Sequence, residues 1–250
     1  MRSLLLPVLI FSLITLNCYA QTMSVNYKTV SEKNQEHNYM INALIPQINF
    51  GPDALMGVRG IASDINSSLD TAAGGMIKRF KDEVYGMQNN TAMNGMGSSL
   101  EITGSASVIS GTVLSAQMKE FSAVIGMAHP VTLIHSYNYS IIYDSLLLNI
   151  ADLFRSGSDY LKFISDYCIA SLRENAMKNG YTNIDEMITD GASPDINNFC
   201  VWNLTEDSLI LTFNPAQAAP YVFGIQTVPI PLSSMTDIIN PEGPLSFMFR

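Results

Sequence analysis

Apolar and polar residues alternate in part over residues 23–33. They do so again over 36–48, where Tyr39, Ile41 and the run 43–45 precede Pro46, and both stretches read as strands. The period then lengthens. Ile61, Ile65, Leu69, Ala72, Met76 and Phe80 recur at spacings of 4, 4, 3, 4 and 4, which predicts one buried stripe on a long helix over 53–85. Pro52 and Asp53 supply a helix start, and Lys78, Arg79, Lys81 and Asp82 fall off the stripe. Residues 86–99, with Asn89-Asn90 and Gly95-Met96-Gly97, carry no period and are expected to form a mobile connection.

Strand-like segments follow at 100–109, 112–124 and 131–143, the last two separated by the turn Gly126-Met127-Ala128-His129-Pro130. Residues 149–154 read as a helical turn. Ser158-Asp159 can cap a second helix whose inward stripe is Leu161, Ile164, Cys168 and Leu172 and which stops at Asn179-Gly180. Beyond a polar stretch with a helical turn at 184–188, strands are expected at 199–204, 209–213 and 225–230. A short helix at 235–239 and a tail over 241–250 close the chain. The expected class is α+β, antiparallel sheets with one long helix in each half packed on them. The expected division is a signal peptide over 1–20, an N-terminal domain over 21–125 and a C-terminal domain over 126–250.

The first residues change the picture most. Arg2, an apolar run over 4–16 and Cys18-Tyr19-Ala20 have the form of a cleavable secretory signal, with Gln21-Thr22 opening the mature chain. The run is shorter than the ~18 residues of a membrane span. Lipidation at Cys18 is disfavoured, because Asn17 stands where a small residue is usual. The other apolar stretch, 223–232, is short and holds two prolines, so a periplasmic or secreted protein without a membrane-spanning segment is expected.

Cleavage removes one base and no acid, leaving 12 Lys+Arg against 22 Asp+Glu, a net charge of −10. That argues against a nucleic-acid partner and suits a cationic one. A hydrophobic fraction of 47% is enough to fill a core. Of the cysteines, Cys168 and Cys200 remain, and a structural disulfide between them is expected outside the cytoplasm, with two free thiols as the alternative.

Chemistry is sparse. The three histidines, His37, His129 and His135, do not supply the ligands of a zinc site, so neither a metal nor another cofactor is expected. No serine elbow, zinc-protease helix or phosphate loop occurs. The acid pairs Asp152/Asp159 and Glu206/Asp207 read as caps and turns rather than acid–base machinery. His129 reads as a turn histidine bonded to backbone or as a partner contact. Tyr137 and Tyr139 share one sheet face, either as core packing or as an exposed aromatic platform for a partner.

Several of these residues carry a resemblance. The turn at 126–130, Asn138-Tyr139, Asp152-Leu153-Phe154, the segment from Asn214-Pro215 through Ala219-Pro220-Tyr221 to Gly224, and Val228-Pro229-Ile230-Pro231 occur in one order. In that order they resemble the extracytoplasmic C-terminal domain of the anti-sigma-V factor RsiV. Residues 23–125, by layout, resemble the domain paired with it, which also stands at the N-terminus of the peptidoglycan deacetylase PdaC. Met127 departs from the usual glycine of the turn, and Ala216 from the usual aromatic after Pro215. The resemblance does not extend to a sigma-binding region or a deacetylase catalytic domain, so it implies neither activity. It implies an extracytoplasmic binding module. The expectation is a non-enzymatic envelope protein binding a peptidoglycan fragment or an extracytoplasmic protein such as lysozyme through His129, Tyr137 and Tyr139. The alternatives are a cell-wall hydrolase and a purely structural envelope protein.

Overall fold

The computed structural model describes residues 23–51, 56–87, 97–141 and 147–249. Residues 1–20 with Cys18, the helix start at Pro52 and Asp53, and 88–96 of the expected connection lie outside them. In chain order the elements are β1 (Met23–Asn34), β2 (Tyr39–Phe50), α1 (Met56–Met87), β3 (Ser98–Ile109), β4 (Val113–Ala123) and β5 (Val131–Ser140). Then come α2 (Tyr160–Lys178), α3 (Asp185–Gly191), β6 (Trp202–Leu204), β7 (Ser208–Phe213) and β8 (Gln226–Pro231). The class is α+β.

The first five strands form one sheet in the order β1-β2-β3-β4-β5. Its pairs are antiparallel except β2 and β3, which run parallel with Ile41 opposite Leu100. A parallel pair needs a long crossover, and the 32 residues of α1 provide it. Residues 125–126 lie in the β4–β5 turn, so this sheet continues across the boundary expected between the two halves.

One side of α1 and one face of the sheet enclose the first core. The inward helix positions are Ala62, Ile65, Leu69, Ala73, Met76, Phe80 and Val84, each buried. Ala73 therefore replaces Ala72 at the centre of the stripe, with Ala72 at its margin. Close approach also fixes Gly104. A Cβ there would meet the ring of Pro46 and lie 2.6 Å from the Leu44 carbonyl.

β6, β7 and β8 form a second, antiparallel sheet, which shares a second core with α2 and α3. Ile109 and Val113, at the tip of the β3–β4 hairpin, reach into that core. The residues expected to be a tail take part as well. Leu245 is buried and Thr112 Oγ1 donates to the Pro244 carbonyl at 3.1 Å. Phe199, expected at the start of a strand, instead closes a 3-10 turn over Ile196–Phe199, and the short helix near 235 is a 3-10 turn over Leu232–Met235.

A buried polar junction joins the sheets. Asn138 on β5 accepts from Ser115 Oγ at 2.7 Å and donates to the Trp202 carbonyl at 2.8 Å. Ser115 Oγ accepts in turn from the Leu204 amide and from Asn203 Nδ2. The outer edge of β5 is occupied by a side chain: Asn214 Oδ1 accepts from the Ile134 amide at 2.8 Å and its Nδ2 donates to the Ile134 carbonyl at 3.1 Å.

The expected disulfide is not formed. Cys168 and Cys200 are both free: Cys168 is fully buried on the inner face of α2, while Cys200 is exposed just beyond the Ile196–Phe199 turn. The apolar stripe that draws Cys168 inward is what separates the two thiols.

Candidate functional site

Strand alternation points Leu114, Ala116, Met118 and Glu120 of β4 toward the α1 side of the sheet. Three of them are apolar and enter the core; Glu120 is a carboxylate with only a tenth of its side chain exposed. A buried charge has to be paired. His135, on the same face of β5, donates from Nε2 to Glu120 Oε2 at 2.7 Å, the role forced by an ionised carboxylate, which can only accept. Arg79, from the C-terminal half of α1, donates to the same oxygen at 3.3 Å. Burial pushes the Glu120 carboxyl up, but the His135 hydrogen bond and the charges of His135 and Arg79 outweigh it and hold the group below its ordinary value.

Arg79 and Glu120 border an open cleft of about 110 Å³ between α1 and the β4–β5 turn, to which Glu83, Ser122, Met127 and His129 also contribute. A shallower hollow of about 220 Å³ on the opposite sheet face is lined by Glu101, Thr103, Lys119 and Phe121. It brings no histidine and no buried charge to its wall, so the smaller cleft is the better candidate.

The rim of the cleft unites two distant parts of the sequence. His129 lies 4.7 Å from the ring of Tyr221, centroid to centroid, and the Tyr221 hydroxyl donates to the Pro130 carbonyl at 2.7 Å. His129 Nδ1 also lies 3.1 Å from that carbonyl. Tyr221, Val222 and Met127 are exposed, Val222 at 82%. The segments 126–130 and 219–224 thus form one lip, partly aromatic and partly aliphatic.

The expected platform of Tyr137 and Tyr139 is not an exposed one. Tyr139 is buried under α1, where its hydroxyl donates to Ser68 Oγ at 2.8 Å, and Tyr137 packs half-buried against the same core. Burial raises the pKa of both phenols, for Tyr139 against the opposing Ser68 hydrogen bond. The cause is the alternation that was expected to display them: the shared face is the helix-covered one. His129, of the three residues expected to bind a partner, is at the surface.

Three of the four paired acids serve structure, while Asp159 stands at the start of α2 without capping it through its side chain. Asp152 accepts from the Asn149 amide, and Glu206 accepts from the amide and hydroxyl of Ser110, closing the β3–β4 turn. Asp207 accepts from Thr205 Oγ1 at 2.7 Å. Among the described residues no group of three or more His, Cys, Asp or Glu side chains could hold a metal ion, and no helix is long and apolar enough to cross a membrane. Sequence reasoning missed Glu120, Arg79 and Tyr221. For Glu120 a signal existed: a carboxylate in phase with Leu114, Ala116 and Met118.

A two-sheet α+β protein with a small polar cleft under an aromatic lip is the class defined by this geometry. A family model described as "Protein of unknown function (DUF3298)" matches residues 151–233, about a third of the chain. The chain is 29% identical over 118 residues to the peptidoglycan-N-acetylmuramic acid deacetylase PdaC of Bacillus subtilis (strain 168). That match covers 47% of this chain but only 24% of the deacetylase. Two solved structures share the fold. A DUF3298 family member from Bacteroides fragilis superposes with a TM-score of 0.57 at 14% identity, covering 88% of this chain and 94% of the other. A DUF3298 family protein from Pseudomonas aeruginosa PAO1 gives 0.56 at 12% identity, covering 88% and 95%.

Proposed function

We infer that this chain is a non-catalytic binding module of the bacterial envelope, working outside the cytoplasm, and that it recognises its partner through the cleft and its lip. The partner is a cell-wall component or an extracytoplasmic protein, with a cationic protein such as lysozyme as the prime case. The observation that carries this reading is the lip itself. Tyr221 is held at the surface by the tilted ring of His129 and a phenol-to-carbonyl hydrogen bond, so its exposure is built in, and Val222 and Met127 are exposed beside it. Rigid aromatic anchors beside a polar recess suit recognition. The form of the first 20 residues and the partial likeness to a cell-wall deacetylase support the location.

Pull-down tests the reading. The chain should retain lysozyme or peptidoglycan at low salt, and Tyr221→Ala should lose most of that retention while staying folded. Retention of neither would overturn it.

One observation favours a second reading, a hydrolase acting on cell-wall polymer: Glu120, paired with His135, borders a cleft, as acid–base catalysis would require. Release of soluble fragments from peptidoglycan by the wild type, abolished in Glu120→Gln, would establish it. In the structure, however, Glu120 Oε2 is engaged by two donors.

A further inference from the structure

Glu120 is satisfied on one side only. Both of its contacts fall on Oε2, and among the described residues no hydrogen bond reaches Oε1. The carboxylate is nine-tenths buried and borders the cleft, and its second oxygen keeps some contact with solvent. Glu83 stands on the same wall, one helical turn beyond Arg79. Two carboxylates therefore face the recess against one permanent cation. Arg79 is more than half exposed and makes its contact at 3.3 Å, so it does not seal the site.

Resting on the binding reading above, we propose that the cleft receives a lysine or arginine side chain of a protein partner, its charged head held between Glu83 and Glu120 and its stem along Met127 and Val131. The volume, about 110 Å³, is roughly that of three to four waters at ~30 Å³ each, and it suits one side-chain head. An ammonium or guanidinium would supply the donor that Glu120 Oε1 lacks, at charge-assisted strength. Ser122 Oγ, on the same wall, offers a neutral acceptor. The charge of the whole chain, −9, favours the approach of such a partner. The groups facing the head are Arg79 and Glu83 from α1, Glu120 and Ser122 from β4 and His129 from the turn, with His135 from β5 behind them, bonded to Glu120.

The test is a nuclear magnetic resonance titration of the isotope-labelled chain with Nα-acetyl-lysine amide and Nα-acetyl-arginine amide. Diacetylated lysine amide and N-acetylglucosamine serve as uncharged controls. Both cations should shift the amides of Ser122, Val131 and Leu133, and the controls should not. Glu120→Gln and, separately, the exposed Glu83→Gln should each weaken that binding about tenfold; Glu83→Gln touches no core contact and keeps the test open if Glu120→Gln fails to fold. No shift at the cleft, an equal shift with diacetylated lysine, or a preference for the sugar would each overturn the proposal. Lysozyme or peptidoglycan capture that still depends on Tyr221 would then leave the binding module standing without its cation site. Loss of capture altogether would remove the broader reading instead.

Discussion

Glu120 shows how one residue's position dictates its neighbours. A carboxylate at an inward strand position could not stay ionised alone, and His135 and Arg79 converge on it from two elements. Its depressed pKa makes a contribution to stability that is fully present above the unfolded carboxyl's value and is lost as pH falls through the folded one. Acid titration of unfolding free energy should therefore decline more steeply in the wild type than in Glu120→Gln. Identical profiles would mean that the pair adds nothing. The cysteines offer a second check at this scale. Burial pushes the Cys168 thiol up to about 12, so at neutral pH a thiol reagent should label Cys200 quickly and Cys168 only on unfolding. Fast labelling of Cys168 would contradict its place in the core. Ala216 is the third. It sits exposed at φ +69°, where a Cβ is strained. Ala216→Gly should stabilise the chain by about 1 kcal/mol in urea unfolding, since left-handed backbone costs a non-glycine residue roughly that much. Glu120 could have been read from its phase with Leu114 and Met118. Tyr221 could not, because its exposure and its bond to Pro130 depend on a fold-back across 91 residues.

At the scale of elements, period was a good guide to type and a poor one to pairing. The stripes of α1 and α2 and most strands were legible because each buries one side, and one-sided burial writes itself into spacing. The parallel alignment of β2 and β3 was not legible, because strand direction is set by the crossover rather than by alternation. The face on which Tyr137 and Tyr139 lie was legible, but not that α1 covers it. The junction at Asn138 was also hidden, since a polar residue in a strand reads as solvent-facing until its partners are known. Removing that side chain strands Ser115 Oγ and the Trp202 carbonyl in a buried setting. Asn138→Ala should lower unfolding free energy by ~2–3 kcal/mol on the usual cost of buried unsatisfied groups, measured by urea denaturation. A loss within experimental error would show the two sheets to be held by apolar packing alone.

For the molecule as a whole, the arrangement brings two sheets together so that a connection from each of them builds one lip. The turn at 126–130 belongs to the first sheet, and Tyr221 stands in the connection between β7 and β8 of the second. The buried junction at Asn138 links the sheets, so the geometry of the lip depends on how the two sheets dock. With an acidic chain, attraction to a cationic partner is screened by salt and should weaken as ionic strength rises.

The measurement that bears most directly on the central claim is the affinity of the immobilised chain for lysozyme and for peptidoglycan fragments, compared between wild type and Tyr221→Ala at low salt. The account predicts saturable binding of at least one of them by the wild type and about tenfold or greater loss in the variant, the scale expected for an aromatic anchor. Equal binding by the two proteins, or binding by neither, would contradict it.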